Sequence, residues 1–373
     1  MDVTRGLVLL GGLSPAAFIK RHWQRKPLLV RQAWPAVPPP LDRAALFALA
    51  AQDGVESRLV QRVGTQWRVR HGPMPRRALP PVQRPGWTLL LQGLDLHVSA
   101  AHAMLGHFRF VPDARLDDLM VSWASEGGGV GAHVDSYDVF LLQVQGTRRW
   151  QVGRTPDARW IDGAPLKLLA NFVPEQEWLL QPGDMLYVPP GWGHDGVAVG
   201  GDCMTCSIGF RAPAAEVLAH DLLQRLADEP AAPSPLYRDA AAAATATPAA
   251  IPPALQDFAR QALARRLAEP QWLERALGES LSEPKPNVWF EGPGRHRAGQ
   301  GVQLSPRSRM LYDTRHIFIN GEAFEARGRD ARLMRQLADQ RALPAAALTG
   351  LSAPARALLD SWIAAGWITG DTP

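Results

Sequence analysis

The sequence is short of cysteine and of long apolar runs. Only two of its 373 residues are cysteines, Cys203 and Cys206, which is too few for a disulfide framework and favours a reducing compartment. No apolar run reaches the roughly 18 residues that a membrane-spanning helix needs. Residues 6–13 lack the basic region and the small-residue cleavage site of a secretion signal. We therefore expect an unprocessed, cytoplasmic protein with no membrane partner.

An excess of one charge is also nearly absent. Lys and Arg total 40 against 36 Asp and Glu, a formal charge of +4, and there is no long basic run. This balance only mildly favours acidic or nucleic-acid surroundings. The C-x-x-C spacing of Cys203 and Cys206 nominally suggests a redox motif, but residues 203–210 read as a strand, on which positions three apart face opposite ways. We interpret both cysteines as structural.

What is present between residues 56 and 210 is a series of short strand patterns separated by turns rich in Gly and Pro. Many short strands without regular helical alternation predict a closed or double-sheet barrel of the jelly-roll kind. The predicted strands of this part and of the segment before it are Leu28–Val30, Arg58–Val63, Gln66–His71, Trp87–Leu91, Leu119–Trp123, Val139–Val144, Arg149–Val152, Trp178–Leu180, Met185–Val188 and Cys203–Phe210. The predicted helices are Ala16–Trp23, Leu41–Gln52 and Val98–Gly106.

The pattern becomes helical after Arg211. Helices are predicted at Ala214–Ala227, Leu255–Leu267 and Trp272–Leu281, with an Ala/Thr/Pro-rich linker or lid over residues 229–253. Apolar stripes on such helices are buried either against the barrel or against a second copy of the chain. We favour the second copy, which predicts a helical dimerisation element and a homodimer.

The last segment mixes strands and helices. Strands are predicted at Arg309–Tyr312 and Ile317–Ile319, and Asn320-Gly321 is a good hairpin turn leading into residues 322–325. Helices are predicted at Ala331–Gln340 and Ala353–Ala365. This small α+β domain is compatible with a winged helix, but the mixed charge of its helices does not predict direct DNA binding.

Three side chains predict a metal site. His133 and Asp135 stand two apart, so on an extended strand they leave the same face, and His194 follows a turn rich in Pro and Gly, Pro189-Pro190-Gly191-Trp192-Gly193. Each histidine alone is more often a satisfied core or surface residue. Together the three form the 2-His-1-carboxylate ligand set of non-haem Fe(II) oxygenases.

Two glycine-framed segments carry a family resemblance. Gly127 followed after five residues by His133 resembles the first cupin motif, with Asp135 in place of the usual second His. Gly183, Pro189, Gly191 and His194 match the second motif position by position. Further stretches resemble the bacterial JmjC-type ribosomal oxygenases: residues 22–30, Met120-Val121-Ser122-Trp123, residues 133–140 and Gly146-Thr147-Arg148-Arg149-Trp150.

The resemblance implies a fold class, mainly β plus α. A double-stranded β-helix barrel of the cupin/JmjC type over residues 1–211 would be followed by a helical linker and dimerisation region over 212–283. A winged-helix-like domain over 284–373 would complete the chain.

The resemblance also implies a site. His133, Asp135 and His194 would bind Fe(II), and the cosubstrates would be 2-oxoglutarate and O2. Only one of the adjacent strand residues Arg148 and Arg149 can point into the barrel, and periodicity does not choose between them. The family match assigns Arg148 to 2-oxoglutarate and places Ser122 in the same pocket.

The implied reaction is hydroxylation of a large-subunit ribosomal protein, most specifically 3-hydroxylation of an arginine in the sixteenth large-subunit protein. Tyr137, Asp138 and Asp195 are candidates for contacts with the substrate at the barrel mouth, although each is equally a solvated rim residue. The alternatives are a ribosomal histidine hydroxylase, a JmjC-type demethylase, a ligand-sensing cupin transcription regulator and a non-catalytic metal-binding cupin.

Overall fold

The computed structural model describes residues 2–229, 235–268, 271–290, 292–297 and 299–370. The chain divides into two compact units, residues 1–212 and 213–373. Among the described residues there is no helix with both the length and the apolar character that crossing a membrane requires.

The first unit is built on a ten-stranded sheet in which every described strand pair is antiparallel. The strand order is β1-β9-β7-β10-β5-β4-β2-β3, with β6 paired to β10 and β8 paired to β7. The strands are β1 (Leu28–Val30), β2 (Ser57–Val63), β3 (Gln66–His71), β4 (Trp87–Leu91), β5 (Leu116–Ala124), β6 (His133–Val134), β7 (Val139–Arg154), β8 (Gln176–Leu180), β9 (Met185–Val188) and β10 (Trp192–Phe210).

The two longest strands differ from their predicted lengths. The predicted strands Val139–Val144 and Arg149–Val152 are one strand, β7, because Gly146 takes a left-handed φ of 65° and bends the strand without ending it. Strand β10 begins at Trp192 rather than at Cys203. β7 and β10 pair along most of their lengths, from Trp192↔Arg154 to Gly209↔Val139. Their pairing is the longest in the sheet.

Three short helices flank this sheet: α1 (Pro15–Arg21), α2 (Arg43–Leu49) and α3 (Ser99–Gly106). Each of the first two begins at a side-chain cap, since Ser14 accepts a hydrogen bond from the Ala17 N–H and Asp42 from the Ala45 N–H. α1 buries Phe18 completely. The Phe18 ring packs against Phe140 and Tyr187 at centroid distances of 5.4 and 5.0 Å, which joins the helix to the barrel core.

The second unit contains six helices and two three-stranded sheets within its described residues, ordered β15-β11-β16 and β12-β13-β14. The helices are α4 (Ala215–Asp228), α5 (Pro253–Leu267), α6 (Trp272–Ser282), α7 (Gly328–Gln340), α8 (Ala345–Leu348) and α9 (Ala353–Ala364). The strands are β11 (Val302–Leu304), β12 (Met310–Tyr312), β13 (His316–Ile319), β14 (Glu322–Glu325), β15 (Ala342–Leu343) and β16 (Ile368–Gly370). The predicted hairpin is confirmed, with Ile319 paired to Glu322 across Asn320-Gly321.

The apolar stripe of α4 is covered in part within the chain. Leu222 and Leu226 are buried against Trp272 and Ala276 of α6, whereas Leu223 is 53% exposed. That a second copy covers such helical stripes stays a prediction. In the predicted linker, residues 230–234 lie outside the described part of the chain, and residues 235–252 contain no helix or strand.

Candidate active site

The three predicted metal ligands lie together. His133 on β6 and His194 on β10 are direct register partners across the sheet. One ligand atom from each of His133, Asp135 and His194 lies within 4.8 Å of the others. The Asp135 Oδ2 atom is 3.6 Å from His194 Nε2 and 3.9 Å from His133 Nε2. The cluster thus presents two imidazoles and one carboxylate to a common point.

Both imidazoles are held in the tautomer that a metal needs. His133 Nδ1 lies 2.9 Å from the Gly131 carbonyl oxygen, and His194 Nδ1 lies 3.2 Å from that of Trp192. Because a carbonyl oxygen only accepts, each Nδ1 carries the proton and each Nε2 lone pair is free for a metal. Burial, reinforced by the neighbouring His133, lowers the pKa of His194 to about 4. His194 is therefore neutral at physiological pH, as a ligand must be.

Glycines bring the two motif segments close to their neighbours. Gly131, two residues before His133, has a φ of 80°, and a side chain there would collide with Trp67 and Leu168. The Gly191 N–H donates to the Asp135 carbonyl at 3.1 Å, which ties the second segment to the first. Gly193 donates its N–H to Thr155 Oγ1 at 3.2 Å and leaves no room for a side chain. The close approaches explain why both motifs are rich in glycine.

A cavity of about 490 Å³ opens beside the metal-ligand cluster. The three ligand residues line it together with Ser122 and Arg148. Apolar side chains of Val139, Leu141 and Trp150 also line it.

Arg148 is buried in this cavity and forms no ion pair with the described residues. Only 2% of the residue is exposed. Its Nη1 donates to Ser122 Oγ at 2.8 Å and to Thr205 Oγ1 at 3.2 Å, and its Nη2 to the Gly196 carbonyl at 3.2 Å. Within the described residues no carboxylate pairs with it, and its Nε has no partner. A buried guanidinium without an anion is costly, so this site is suited to a carboxylate ligand.

Trp150 connects Arg148 to the metal-ligand cluster. The Arg148 guanidinium lies 5.0 Å from the centroid of the Trp150 ring, and that ring lies 5.9 Å from the ring of His194. Gly196 leaves room for the indole, since a side chain at Gly196 would overlap it. The buried Trp150 Nε1 also has no hydrogen-bond partner among the described residues.

The three predicted substrate residues have different positions. Tyr137 lines the cavity and is 38% exposed, which suits a rim position. Asp138 is fully buried and away from the cavity. Its carboxylate accepts hydrogen bonds from Tyr187 Oη at 2.5 Å and from Gln24 Nε2 at 3.2 Å. The rim position predicted for Asp138 is therefore wrong, because the side chain is held in the core. Asp195 is half-buried and does not line the cavity.

Several cavity residues escaped prediction, although one signal points to some of them. On β5, Asp118 and Met120 share the face of Ser122 by strand alternation, and both line the cavity. Thr205 is the register partner of Ser122 on β10. Arg58 and Asp117, also in the lining, have no such signal in the sequence.

The two cysteines are buried and free. Burial raises the pKa of both thiols, that of Cys206 to about 12. This disfavours the thiolate that redox chemistry requires.

An antiparallel barrel whose wall carries a His/Asp/His cluster and a buried arginine defines the class of JmjC and cupin oxygenases. Residues 103–218 match the family model of the JmjC domain, and residues 262–369 match that of the ROXA-like winged helix. The predicted fold class and the family resemblance are confirmed.

The relatives identify the family. The chain is 34% identical to the ribosomal protein uL16 3-hydroxylase of Escherichia coli over 281 residues, which are 72% of this chain and 71% of the relative. It is 35% identical to a probable ribosomal oxygenase of Haemophilus influenzae over 54% of this chain and 50% of the relative. The chain belongs to the JmjC-type ribosomal oxygenases.

Solved structures agree with this assignment. E. coli YcfD superimposes with a TM-score of 0.83 at 29% identity, covering 95% of this chain and 97% of YcfD. YcfD in complex with cobalt and 2-oxoglutarate superimposes with a TM-score of 0.81, also at 29% identity, over 96% of this chain and 99% of YcfD.

Proposed function

We propose that this protein is an Fe(II)- and 2-oxoglutarate-dependent oxygenase that 3-hydroxylates an arginine of the large-subunit ribosomal protein uL16. The observation that carries the proposal is the buried Arg148 guanidinium, which has no carboxylate partner in the described residues and lines the same cavity as His133, Asp135 and His194. The named activity of the E. coli relative supports the substrate.

His133, Asp135 and His194 would hold the iron, and Arg148 would bind the distal carboxylate of 2-oxoglutarate. A planar guanidinium can bind a carboxylate through two parallel hydrogen bonds. The hydroxyl of Ser122 already fixes the orientation of Arg148 Nη1 at 2.8 Å. Three protein ligands leave coordination positions open for a bidentate 2-oxoacid and O2.

When bound, iron supplies the oxidative chemistry, in which 2-oxoglutarate, O2 and a C–H bond become succinate, CO2 and a C–OH bond. The residues of the chain do the positioning. The backbone carbonyls of Gly131 and Trp192 orient the two imidazoles. Val139, Leu141 and Trp150 give the cavity that holds the ligand cluster and Arg148 an apolar lining.

The substrate would enter past Tyr137. The lining there carries Asp117 and Asp118 beside Arg58, and Asp117 Oδ1 already lies 3.4 Å from Arg211 Nε. The choice of an arginine of the substrate over a histidine therefore rests on the named activity of the E. coli relative. We propose Tyr137 as a contact of that arginine.

The test incubates the protein with Fe(II), 2-oxoglutarate and purified uL16, then locates a gain of one oxygen atom by mass spectrometry. We expect the gain on one arginine, at its β-carbon. Oxidation of a histidine, or loss of a methyl group from a lysine, would support the hydroxylase or demethylase alternatives instead. 2-Oxoglutarate turnover with no protein product would contradict the substrate, and no turnover at all would favour a non-catalytic cupin.

His194→Ala and Asp135→Ala should abolish turnover, because each leaves two protein ligands for the metal. Metal content, measured on the same preparations, should fall with them. Substantial succinate formation by either variant would contradict the ligand assignment.

We propose a homodimer formed through α5. This helix has no buried residue among those described, and Leu255, Leu263 and Leu267 recur on one face with exposures of 38, 68 and 50%. A second copy would cover this stripe. Residues 212–283 would then form the dimerisation region between a catalytic domain over 1–211 and a winged-helix-like domain over 284–373. A ribosomal protein substrate would place the enzyme in the cytoplasm.

A transcription regulator has less support. The helix predicted at Ala331–Gln340 lies within α7, whose three arginines are offset by Asp330 and Asp339. α9 carries one arginine and one aspartate, Arg356 and Asp360. Neither helix is strongly basic, as a DNA-reading helix would be.

A further inference from the structure

A second pocket, of about 370 Å³, lies at the start of α7 in the second unit. Four arginines line it, against a single carboxylate from Glu325. The arginines are Arg315, Arg327, Arg332 and Arg335. Such a ratio leaves a net positive charge around a concave surface, and nothing in the proposed oxygenase reaction uses it.

The cationic groups are mostly not neutralised. Arg315 and Arg332 are exposed and form no ion pair with the described residues. Arg327 Nη2 lies 3.5 Å from Glu325 Oε2, and both of these side chains are well exposed. An exposed pair of this kind contributes little and is easily exchanged for another anion.

The other nearby carboxylates are engaged elsewhere. Asp313 accepts hydrogen bonds from the backbone N–H groups of Arg315 and His316. Asp330 accepts from the Ser352 hydroxyl and N–H. Asp339 accepts from the Tyr312 hydroxyl. None of these three carboxylates lines the pocket, whose lining has four guanidinium groups against Glu325.

An aromatic ring lies beside the arginines. The Arg335 guanidinium is 5.5 Å from the centroid of the Tyr312 ring, and Tyr312 is 41% exposed. Arg335 Nη2 donates to the Thr314 carbonyl at 2.9 Å, while its Nε is shielded from solvent without a partner among the described residues. Cationic groups interleaved with an exposed aromatic ring are what proteins use to bind single-stranded nucleic acid.

The start of α7 has a cation at the N-cap and one acidic residue, Asp330, in its first turn. Arg327 occupies the N-cap of the thirteen-residue α7 and makes no side-chain cap. A cation at this end of a helix opposes the macrodipole, which prefers an anion there. A phosphate among the arginines would reverse that effect.

We propose that this pocket binds the phosphate groups of a single-stranded RNA segment, with a base stacked on Tyr312. The choice of RNA over DNA rests on the proposed function, since ribosomal proteins occur with RNA. The pocket shares no lining residue with the metal-ligand cluster, so we expect binding that requires neither iron nor 2-oxoglutarate.

The test measures fluorescence anisotropy of a labelled twelve-nucleotide single-stranded RNA with the full chain at several salt concentrations. Arg315→Gln/Arg332→Gln should weaken binding at least about tenfold and reduce the salt slope by about 1.4, at roughly 0.7 per lost phosphate contact. Arg295→Gln/Arg297→Gln removes the same charge from exposed positions of the same unit and should change affinity less than about twofold. Tyr312→Leu should weaken binding while leaving the salt slope unchanged.

Several outcomes would overturn the proposal. These are no saturable binding of the RNA at low salt, equal losses in the two arginine double variants, or tighter binding of a duplex DNA that depends on Arg356. Competition by inorganic phosphate as effective as by RNA would assign the pocket to a free phosphate and also overturn it. Absence of RNA binding by a protein that hydroxylates uL16 would overturn the RNA site and leave the proposed function intact. RNA binding by a protein that does not hydroxylate uL16 would overturn the proposed function and leave the RNA site intact.

Discussion

Arg148 and Arg149 are neighbours on β7 with opposite surroundings. Arg148 points into the cavity and is held by Ser122, Thr205 and the Gly196 carbonyl. Arg149, on the other face of the strand, does not line the cavity. Because the two side chains have the same chemistry, substituting each in turn distinguishes the effect of a position inside the cavity from the effect of losing a positive charge.

Arg148→Gln should raise the dissociation constant of 2-oxoglutarate by about 10- to 100-fold, because a charge-assisted hydrogen bond contributes roughly 1.5–3 kcal/mol. Isothermal titration with Mn(II) in place of iron measures this without turnover. Arg149→Gln is the matched control and should change the constant less than about twofold. Similar losses in both variants would contradict the assignment of Arg148 to the cosubstrate.

For single residues, the sequence predicts which side chains share one face of a strand. His133 and Asp135 share a face because they stand two apart, and the structure places them together. Parity shows that Arg148 and Arg149 face opposite ways but not which faces inward, and there the family match was needed. Asp138 failed because its burial depends on Tyr187 and Gln24, 49 and 114 positions away, which no local pattern reveals.

The turn before β9 contains Gly183 of the second motif and the adjacent Asp184. Asp184, 3% exposed, accepts hydrogen bonds from the Gln32 N–H at 3.0 Å, the Gln181 N–H at 3.1 Å and Arg31 Nη1 at 2.6 Å. It thereby fastens the turn before β9 to the chain after β1, beside the pair Val30↔Met185. Burial alone would raise the pKa of Asp184, but these hydrogen bonds and the Arg31 charge outweigh it and lower that pKa.

A carboxyl with a lowered folded-state pKa stabilises the fold above its unfolded pKa of about 4, and this stability is lost as the pH falls through the folded value. Asp184→Asn should therefore reduce the free energy of unfolding by roughly 2 kcal/mol at pH 7, with a smaller difference at pH 3. Urea unfolding of the parent protein and the variant at both pH values measures this difference in the free energy of unfolding.

Asp157→Asn, at an exposed loop position, is the control. It should have the same free energy of unfolding as the parent protein at either pH. A deficit of Asp184→Asn that stays constant between pH 7 and pH 3 would contradict the ionic origin of the effect.

The ends of helices and strands are predictable where the local composition changes. They are not predictable where a strand forms only by pairing with residues far along the chain. β3, β4 and β9 begin and end as predicted. The first half of β10 was missed because Gly193, Gly196 and Gly200 interrupt its apolar pattern. β11, β15 and β16 were missed because strands of two or three residues form only through partners far along the chain, such as Leu304↔Ile368.

For the whole molecule, the exposed stripe of α5 predicts a mass in solution of twice 40.7 kDa. Leu263→Glu/Leu267→Glu should convert the protein to a monomer, because two buried carboxylates would be unpaired in the interface. Light scattering after size exclusion measures the mass, and circular dichroism checks that α5 remains helical.

Val173→Glu introduces one carboxylate at a 72% exposed position of the first unit and should leave the dimer unchanged. A monomeric parent protein, or a double variant with the parent mass, would contradict a dimer formed through α5.

The pairing of β1 with β9 has a kinetic consequence. Val30 finds its partner 155 positions later (185 − 30), and β10, which carries His194 and Thr205, pairs back to β5, β6 and β7. Loop-closure entropy makes such distant pairing slow. A nascent chain that ends before Trp192 holds His133 and Asp135 but has neither the third ligand nor the strand that aligns them. Iron affinity should thus appear late in synthesis and in one step, as the last strand of the barrel closes.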